Sequence, residues 1–229
     1  MNEIWGIVGL GWLGAELAKH LPNSWGTHRS TFDFTKDELP GAPCDVLFLN
    51  TPPLTALSPH EYVRKVSSAD AERVIFISST SVYGETQGRV DEATPPAPEA
   101  TGAQWLWAVE QELQSRLGLR LQVIRPGGLI GGDRHPARTL AGRQQIKGGL
   151  SPINLIHRDD LIQLILHHSH RPLLNAVAPV HPTKSTFYTE WAKHLGLPIP
   201  HFTDDGSGSK EVHSLFLESF QWAHRLRAT

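Results

Sequence analysis

Three glycines near the start of the chain have the spacing of a loop that binds the phosphates of a dinucleotide. They form Gly9-x-Gly11-x-x-Gly14 and directly follow the apolar run Ile4–Val8. In this pattern the first glycine permits a tight turn, the second lets the backbone approach a pyrophosphate, and the third lets a helix pack closely on the strand. We therefore predict a dinucleotide-binding loop; a purely structural glycine turn is the alternative.

The residues after the second predicted strand bear on the choice of cofactor. A site for NAD usually places an acidic residue about 20 positions further on, where it binds the ribose hydroxyls. Here that position holds His28-Arg29-Ser30. An arginine can bind a ribose phosphate through charged hydrogen bonds, whereas a carboxylate would repel it. The sequence therefore favours NADP over NAD. Arg29 could instead be a solvated surface arginine, and Asp33 could be the ribose ligand.

Apolar runs that alternate with helical patterns predict the sheet that would position these groups. Near-continuous apolar strands between helices are typical of a parallel sheet that is covered on both faces. The fold class is therefore α/β, a doubly wound parallel sheet (Rossmann) with a small C-terminal substrate lobe. The predicted strands are Ile4–Val8, Ser24–His28, Asp45–Asn50, Arg73–Ser78 and Leu119–Arg125, and the predicted helices include Trp12–His20, Pro59–Ala69 and Ala100–Leu117.

The predicted nucleotide-binding core spans residues 1–131. The smaller lobe spans residues 132–229, and strands from it return in part to the main sheet. Segment 86–99 is rich in proline, threonine and charge, so it is predicted to be an exposed loop.

Composition excludes several classes of partner. The chain has 229 residues, a formal net charge of −2 and a sequence pI of about 6.7, which give no basic field for nucleic acid or an acidic membrane. No apolar run reaches the roughly 18 residues of a membrane span. The single cysteine, Cys44, rules out an internal disulfide and favours a reducing, cytoplasmic location. We predict a small-molecule ligand and no metal site.

Five motifs occur in the order found in a known family. Together they resemble the extended or atypical short-chain dehydrogenases of the NAD-dependent epimerase/dehydratase type, above all the short bacterial members described as sugar-nucleotide-epimerase-like. The motifs are GLGWLG at Gly9–Gly14, SSTSVYGE at Ser78–Glu85, VEQEL at Val109–Leu113, IRPGGLIGG at Ile124–Gly132 and NLIHRDDL at Asn154–Leu161.

The resemblance implies a catalytic serine or threonine together with Tyr-x-x-x-Lys, in which the lysine lowers the tyrosine pKa for proton exchange. Ser79 matches the serine. Aligned on Glu110 of VEQEL, the tyrosine would fall at Gly102 and the lysine at Leu106, and neither residue can move a proton. The usual pair is therefore missing. Tyr83 is a less favoured candidate, because by resemblance it belongs to the loop scaffold.

Two further implications of the resemblance concern elimination and the cofactor. The residues after Ser79 are Thr80 and Ser81, whereas dehydratases of the family carry acidic residues there, so elimination is disfavoured. The backbone after Pro126 is expected to meet the nicotinamide carboxamide. The complete set of predicted cofactor contacts is Gly9, Gly11, Trp12, Leu13, Gly14, His28, Arg29, Ser30, Thr51, Pro52, Ser78, Pro126 and Gly128.

These observations leave more than one function open. The favoured hypothesis is an NADP-binding oxidoreductase or epimerase-like enzyme that acts on a small polar or sugar-like substrate without Tyr-x-x-x-Lys. The alternative is a non-catalytic NADP(H)-binding redox sensor, and a third is a structural relative that binds nothing. Family likeness also suggests a homodimer through the helix at residues 100–117.

Overall fold

The computed structural model describes residues 3–167, 171–203, 210–224 and 226. Their contacts group them into two compact units. The first comprises residues 3–84, 96–125 and 171–174, and the second comprises residues 85–95, 126–167, 175–203, 210–224 and 226. The predicted domain boundary after residue 131 stays a prediction.

The described strands and helices are numbered in chain order. The strands are β1 (Trp5–Val8), β2 (Ser24–Thr27), β3 (Val46–Leu49), β4 (Arg73–Ile77), β5 (Gly88–Val90), β6 (Leu121–Pro126), β7 (Gly128–Ile130), β8 (Leu155–His157), β9 (Leu173–Ala176) and β10 (Lys210–Val212). The helices are α1 (Gly14–Ala18), α2 (Pro59–Val66), α3 (Thr101–Leu117), α4 (Ala137–Leu140), α5 (Arg158–His167) and α6 (Lys184–His194).

The main sheet confirms the predicted fold class. Its six strands lie in the order β2-β1-β3-β4-β6-β9, and the pairs that join the first five strands are parallel. Every residue of β1 and β3 is buried, as expected for strands covered on both faces. The chain order reverses between β1 and β3. Such a topological switch point is where open α/β sheets bind ligands.

The helices of the first unit follow local capping signals. Helix α2 begins after Ser58, whose hydroxyl accepts a hydrogen bond from the Glu61 amide at 3.1 Å, with Pro59 in the first turn. Helix α3 ends at Gly118, where φ is +55° and glycine is favoured. Helix α1 is shorter than predicted. It begins at Gly14 because the preceding residues form the turn out of β1, and it ends in a tightened turn in which Lys19 bonds to Glu16.

The second unit contains two small parallel sheets, β7-β8 and β5-β10. Strand β5 corrects the prediction of a continuous exposed loop over segment 86–99. It pairs with β10 and places Arg89 opposite Glu211. Three residues are too few to show a strand period in sequence, and the pairing partner lies far along the chain. Ile130, Leu155 and Phe187 belong to a buried apolar cluster of this unit.

Among the described helices, none is long and apolar enough to cross a membrane.

Candidate functional site

A cavity of about 480 Å³ lies at the switch point of the main sheet, within the first unit. It is built from the carboxyl ends of β1, β2 and β3 and from the turns that follow them. The lining residues are Val8, Gly9, Leu10, Gly11, Thr27, His28, Arg29, Phe32, Asp33, Phe34, Asn50, Thr51, Pro52 and Leu54. Three stretches that the sequence identified separately, the glycine loop, His28-Arg29 and Thr51-Pro52, therefore face one space.

The three glycines of the loop have three different environments. Gly9 has a φ of +105°, and a Cβ atom there would lie 2.5 Å from the Asn50 carbonyl oxygen. A Cβ atom on Gly14 would clash with the Gly9 carbonyl oxygen, so α1 can approach the loop closely only with glycine there. Around Gly11, in contrast, nothing lies within 4 Å of the Cβ position. Gly11 is thus the one member of the pattern with open space beside its backbone.

Side chains from the neighbouring strands hold the loop in place. The Gly9 amide donates to Thr27 Oγ1 at 3.2 Å, and the Leu10 amide donates to the Thr27 carbonyl oxygen at 2.8 Å. Asn50 Nδ2 donates to the Gly9 carbonyl oxygen at 3.3 Å. The loop is therefore fixed from both β2 and β3. Such a preformed loop suits a ligand that binds through backbone groups.

The turn after β2 presents an exposed cation to the cavity. His28, Arg29 and Ser30 are all exposed, and the His28 ring binds back to Ser30, with Nδ1 lying 2.8 Å from Ser30 Oγ. Arg29 lines the cavity and makes no hydrogen bond or ion pair with any residue that the structure describes. Its guanidinium keeps all its donors available for a ligand.

Asp33 lies on the same side of the cavity and has the opposite charge. One of its carboxylate oxygens accepts hydrogen bonds from the amide and hydroxyl of Thr35, at 3.0 and 2.7 Å, and the other pairs with Lys36 Nζ at 3.0 Å. The hydrogen bonds from Thr35 and Lys36 lower the pKa of Asp33 to about 2. Asp33 is therefore ionised at neutral pH, and its oxygens already have donors.

The remaining wall of the cavity is largely apolar. Phe32, Phe34, Pro52 and Leu54 line it, and Phe34 stacks on Tyr62 with ring centroids 4.6 Å apart. This wall offers flat contact area for a heteroaromatic ring. Phe32, Phe34 and Leu54 were missed from the sequence, although each lies within five residues of a predicted site residue.

The residues after β4 form a second, differently built group. Ser79 is half-buried and begins a short 3₁₀ turn, in which its Oγ accepts a hydrogen bond from the Ser81 amide at 3.0 Å. The Ser79 hydroxyl proton stays free for donation, because this bond uses the oxygen as an acceptor. Tyr83, the less favoured catalytic candidate, is fully buried.

Tyr83 and Ser78 belong to a buried polar network that the sequence did not reveal. Its centre is the ion pair of Arg125 and Glu110, whose side chains are both 3% exposed, with Nη2 2.5 Å from Oε2. Arg125 Nη1 also donates to the Tyr83 hydroxyl at 2.9 Å, and the Ser78 hydroxyl donates to Glu110. The only signals in the sequence were two charged residues, Glu110 within VEQEL and Arg125 at the end of the apolar run that forms β6.

This network governs the electrostatics at the ends of β4 and β6. Burial alone would lower the pKa of Arg125, but the hydrogen bonds and charge of Glu110 outweigh burial and raise it. The Arg125 guanidinium lies over the ring of Tyr83, 5.0 Å from its centroid. All four side chains are thus occupied in holding α3 and the 3₁₀ turn against the sheet.

Gly102 and Leu106, which the resemblance aligns with the usual tyrosine and lysine, carry no proton-transfer group, and the loss of the catalytic pair stays a prediction. Leu106 is buried within α3, and the Cβ position of Gly102 lies 3.4 Å from Cγ of Pro53. Nearby, Trp105 Nε1 donates to the Leu57 carbonyl oxygen at 2.7 Å, so this tryptophan packs and anchors the helix.

The predicted cofactor contacts therefore separate into groups. Six of them line the switch-point cavity, namely Gly9, Gly11, His28, Arg29, Thr51 and Pro52. Trp12, Leu13 and Ser30 lie in the adjoining turns and Gly14 begins α1, and these four do not line the cavity. Ser78 lies in the buried network. Pro126 ends β6, and Gly128 lies in β7, against Leu155 of the second unit. The roles of all these residues in binding stay predictions.

A curated bacterial protein resembles part of this chain. The chain is 38% identical over 143 residues to the protein YeeZ of Escherichia coli K12, and the match covers 59% of this chain and 52% of that protein. The chain thus spans about half the length of the curated relative that it matches. No family model matches the chain.

Solved structures resemble nearly all of the chain. RMD from Pseudomonas aeruginosa, solved with NADPH, has a TM-score of 0.70 at 16% identity, over 93% of this chain and 88% of that one. UDP-glucuronic acid 4-epimerase from Bacillus cereus, solved with NAD, has a TM-score of 0.68 at 14% identity, over 92% and 89%. The chain therefore shares the Rossmann-type α/β fold of these two proteins, which confirms the predicted fold class.

Proposed function

We propose that this chain binds NADP(H) in the switch-point cavity and is an oxidoreductase or epimerase-like enzyme for a small polar or sugar-like substrate. The observation that carries the proposal is that Gly11 and Arg29 line the same cavity. No atom lies within 4 Å of the Cβ position of Gly11, and Arg29 makes no hydrogen bond or ion pair with any described residue. Structures of the same fold hold NADPH or NAD, which supports a dinucleotide as the ligand. A bound nicotinamide cofactor would supply hydride transfer.

The residues of the cavity suit the parts of a dinucleotide. The backbone beside Gly11 would accept the pyrophosphate, since no side chain fills that space. The apolar wall that includes Phe32 and Leu54 would contact the adenine. Arg29 would bind a 2′-phosphate, while the ionised Asp33 opposes it. Because the Asp33 oxygens already accept bonds from Thr35 and Lys36, we favour NADP over NAD.

We assign to Ser79 the role of binding the substrate. Its hydroxyl can donate a hydrogen bond to a substrate oxygen while its oxygen accepts the Ser81 amide, and this second bond fixes the orientation of the side chain. Tyr83 is held by Arg125 and has no exposed surface, so we assign it a scaffold role. The proton that accompanies hydride transfer would then come from water or from the substrate itself. The sugar-nucleotide enzyme of the same fold supports a sugar-like substrate.

The residues at positions 102 and 106 favour a second candidate function, a non-catalytic NADP(H) sensor. Gly102 and Leu106 supply no general acid or base, which removes the apparatus that an active dehydrogenase of this type uses. A sensor would need only the cavity and a response to the redox state of the cofactor.

Calorimetric titration with NADPH, NADP⁺ and NADH is the first test. We expect saturable binding and a preference for the phosphorylated cofactors. Purified protein is then assayed with NADPH against a panel of carbonyl compounds and with NADP⁺ against a panel of alcohols and nucleotide sugars. Turnover supports the enzyme. Binding without turnover, combined with different affinities for NADPH and NADP⁺, supports the sensor. Absence of binding would refute both.

The predicted homodimer and cytoplasmic location stay predictions. Gel filtration with light scattering would test the dimer directly.

A further inference from the structure

Three potential metal ligands from separate segments come together in the second unit. His181 follows β9, Glu211 lies in β10, and His213 follows β10 directly. One ligand atom from each residue can be chosen so that all three atoms lie within 4.8 Å of one another. All three residues are half-buried. A loop and a strand that are distant in sequence thus converge on one small volume.

His181 is held in the tautomer that a metal ion requires. Its Nδ1 lies 3.2 Å from the Ile153 carbonyl oxygen. A carbonyl oxygen only accepts, so Nδ1 carries the proton and Nε2 carries the lone pair. That Nε2 atom is buried and has no hydrogen-bond partner among the described residues. A hydrogen bond from the other ring nitrogen to a backbone carbonyl usually orients a metal-binding histidine.

His213 and Glu211 form the other side of the cluster. His213 Nε2 lies 2.6 Å from Glu211 Oε1, and the rings of His181 and His213 are 4.8 Å apart at 51°. A metal ion would displace the proton from the His213–Glu211 hydrogen bond, as metal binding to such ligands generally does. The two atoms would separate by about 0.7 Å to reach tetrahedral spacing around zinc.

We propose that His181, Glu211 and His213 form a zinc-binding site that shares no residue with the switch-point cavity. Two imidazoles and one carboxylate are a ligand set of zinc sites in which the fourth position stays open. A neighbouring cavity of about 220 Å³ is lined by both histidines and by Ser214 and Arg89. The fourth position therefore has room for water or a small anion.

One feature of the surroundings opposes the site and another favours it. Arg89 lies close enough to disfavour positive charge on His181, but its side chain is exposed and therefore screened by solvent. The main-chain pairing of β5 with β10 fixes the backbone of Glu211, so this ligand needs little ordering when the metal binds.

A second histidine group in the same unit is less suitable. His157 and His224 stack face to face, with centroids 3.6 Å apart at 10°. His157 Nδ1 accepts the Asp159 amide at 3.2 Å, so this lone pair is already used. The carboxylate of this group, Asp159, accepts a hydrogen bond from Arg158 Nε at 3.1 Å. This group therefore serves as the internal control for the proposed site.

The test is calorimetric titration of the intact, tag-free chain with Zn²⁺, with Co²⁺ as a visible-absorption probe of four-coordinate geometry. We expect one saturable site and a rise in the thermal unfolding midpoint on adding Zn²⁺. His181→Ala and His213→Ala should each weaken zinc binding about tenfold or more. Glu211→Gln keeps the side-chain shape and removes the charged ligand, so it tests the site even if an alanine variant folds poorly. His224→Ala should bind zinc like the parent protein.

Two outcomes would overturn the proposal. One is the absence of saturable zinc binding by the folded parent protein. The other is binding that survives Glu211→Gln and His181→Ala, or that disappears with His224→Ala, since the metal would then bind elsewhere.

Discussion

Two arginines at strand ends of the same sheet have opposite surroundings. Arg29 follows β2, is exposed, and has no hydrogen-bond partner among the described residues. Arg125 lies near the end of β6, is 2% exposed, and binds Glu110 and Tyr83. A buried guanidinium is stable only when its donors are satisfied. An exposed one costs little to leave unpaired and stays available for a ligand. Arg125 therefore marks a strand end that stabilises the fold, and Arg29 marks one that can bind a ligand.

The largest expected effect comes from breaking the buried pair. Arg125→Met leaves Glu110 as a buried charge without its counter-ion, so we expect a loss of about 3–5 kcal/mol in the free energy of unfolding, measured by urea denaturation. The matched control is Arg116→Met, an exposed arginine on α3, with an expected change within about 0.5 kcal/mol. The double variant Glu110→Leu/Arg125→Met should recover part of the loss. Equal effects at Arg125 and Arg116 would break the comparison.

Within the glycine loop, one glycine is expected to matter for stability and another for ligand binding. Gly14→Ala places a methyl group against the Gly9 carbonyl oxygen, so we expect about 1–3 kcal/mol of destabilisation. Gly11→Ala meets nothing within 4 Å and has no positive φ to strain, so the stability should change by less than about 0.5 kcal/mol. It should nevertheless weaken NADPH binding, measured by calorimetry. Unchanged binding in Gly11→Ala would contradict the assignment of the phosphate site.

The strands of the fold were predictable because near-continuous apolar runs are followed by glycine or by polar residues. β1, β3 and β4 each lie within one or two residues of prediction, and the glycine loop follows β1 as expected. Strand β5 was missed, since three residues show no period. Helix α1 was predicted too long because an amphipathic pattern does not show where a turn ends.

The site was predictable only in part, for a related reason. Motif spacing identifies backbone features such as Gly11 and residues at strand ends such as Arg29. It does not show which side chains bind each other across the fold. Two examples are the ion pair of Arg125 with Glu110 and the contacts of Asp33 with Thr35 and Lys36.

Cofactor preference tests the role of Arg29, the exposed arginine of the comparison. We expect Arg29→Ala to lower NADPH affinity by about ten- to a hundredfold, the range of one hydrogen bond to a charged group, and to leave NADH affinity nearly unchanged. Asp33→Asn should shift the preference further towards NADPH, since it removes an ionised carboxylate from the same cavity. Competitive titration of the two cofactors measures both effects, and Arg116→Ala is the control. If Arg29→Ala keeps its NADPH preference, Arg29 is only a solvated surface residue.

The smallest expected effect extends the comparison to half-buried histidines, whose pKa is lowered mainly by burial. Burial lowers the pKa of His135, His157 and His181, all in the second unit. A histidine with a lowered folded-state pKa binds fewer protons than the unfolded chain does. Stability is therefore unaffected well above pH 6.5 and falls as the pH drops below it. Each residue should contribute a fraction of the ~1.4 kcal/mol per pH unit that one full proton would give.

His135 is the best of the three for testing this pH dependence. It stacks on Phe187 and packs against Trp191, and its Nε2 has no partner among the described residues. His135→Phe removes the titrating group and keeps an aromatic ring, whereas His135→Gln removes both. Urea unfolding between pH 7.5 and about 5 should show a flatter dependence in both variants, within the window that histidine titration sets. A flatter dependence in His135→Phe alone would assign the effect to packing. An unchanged slope in both would show that burial without a counter-ion has no energetic consequence at this position.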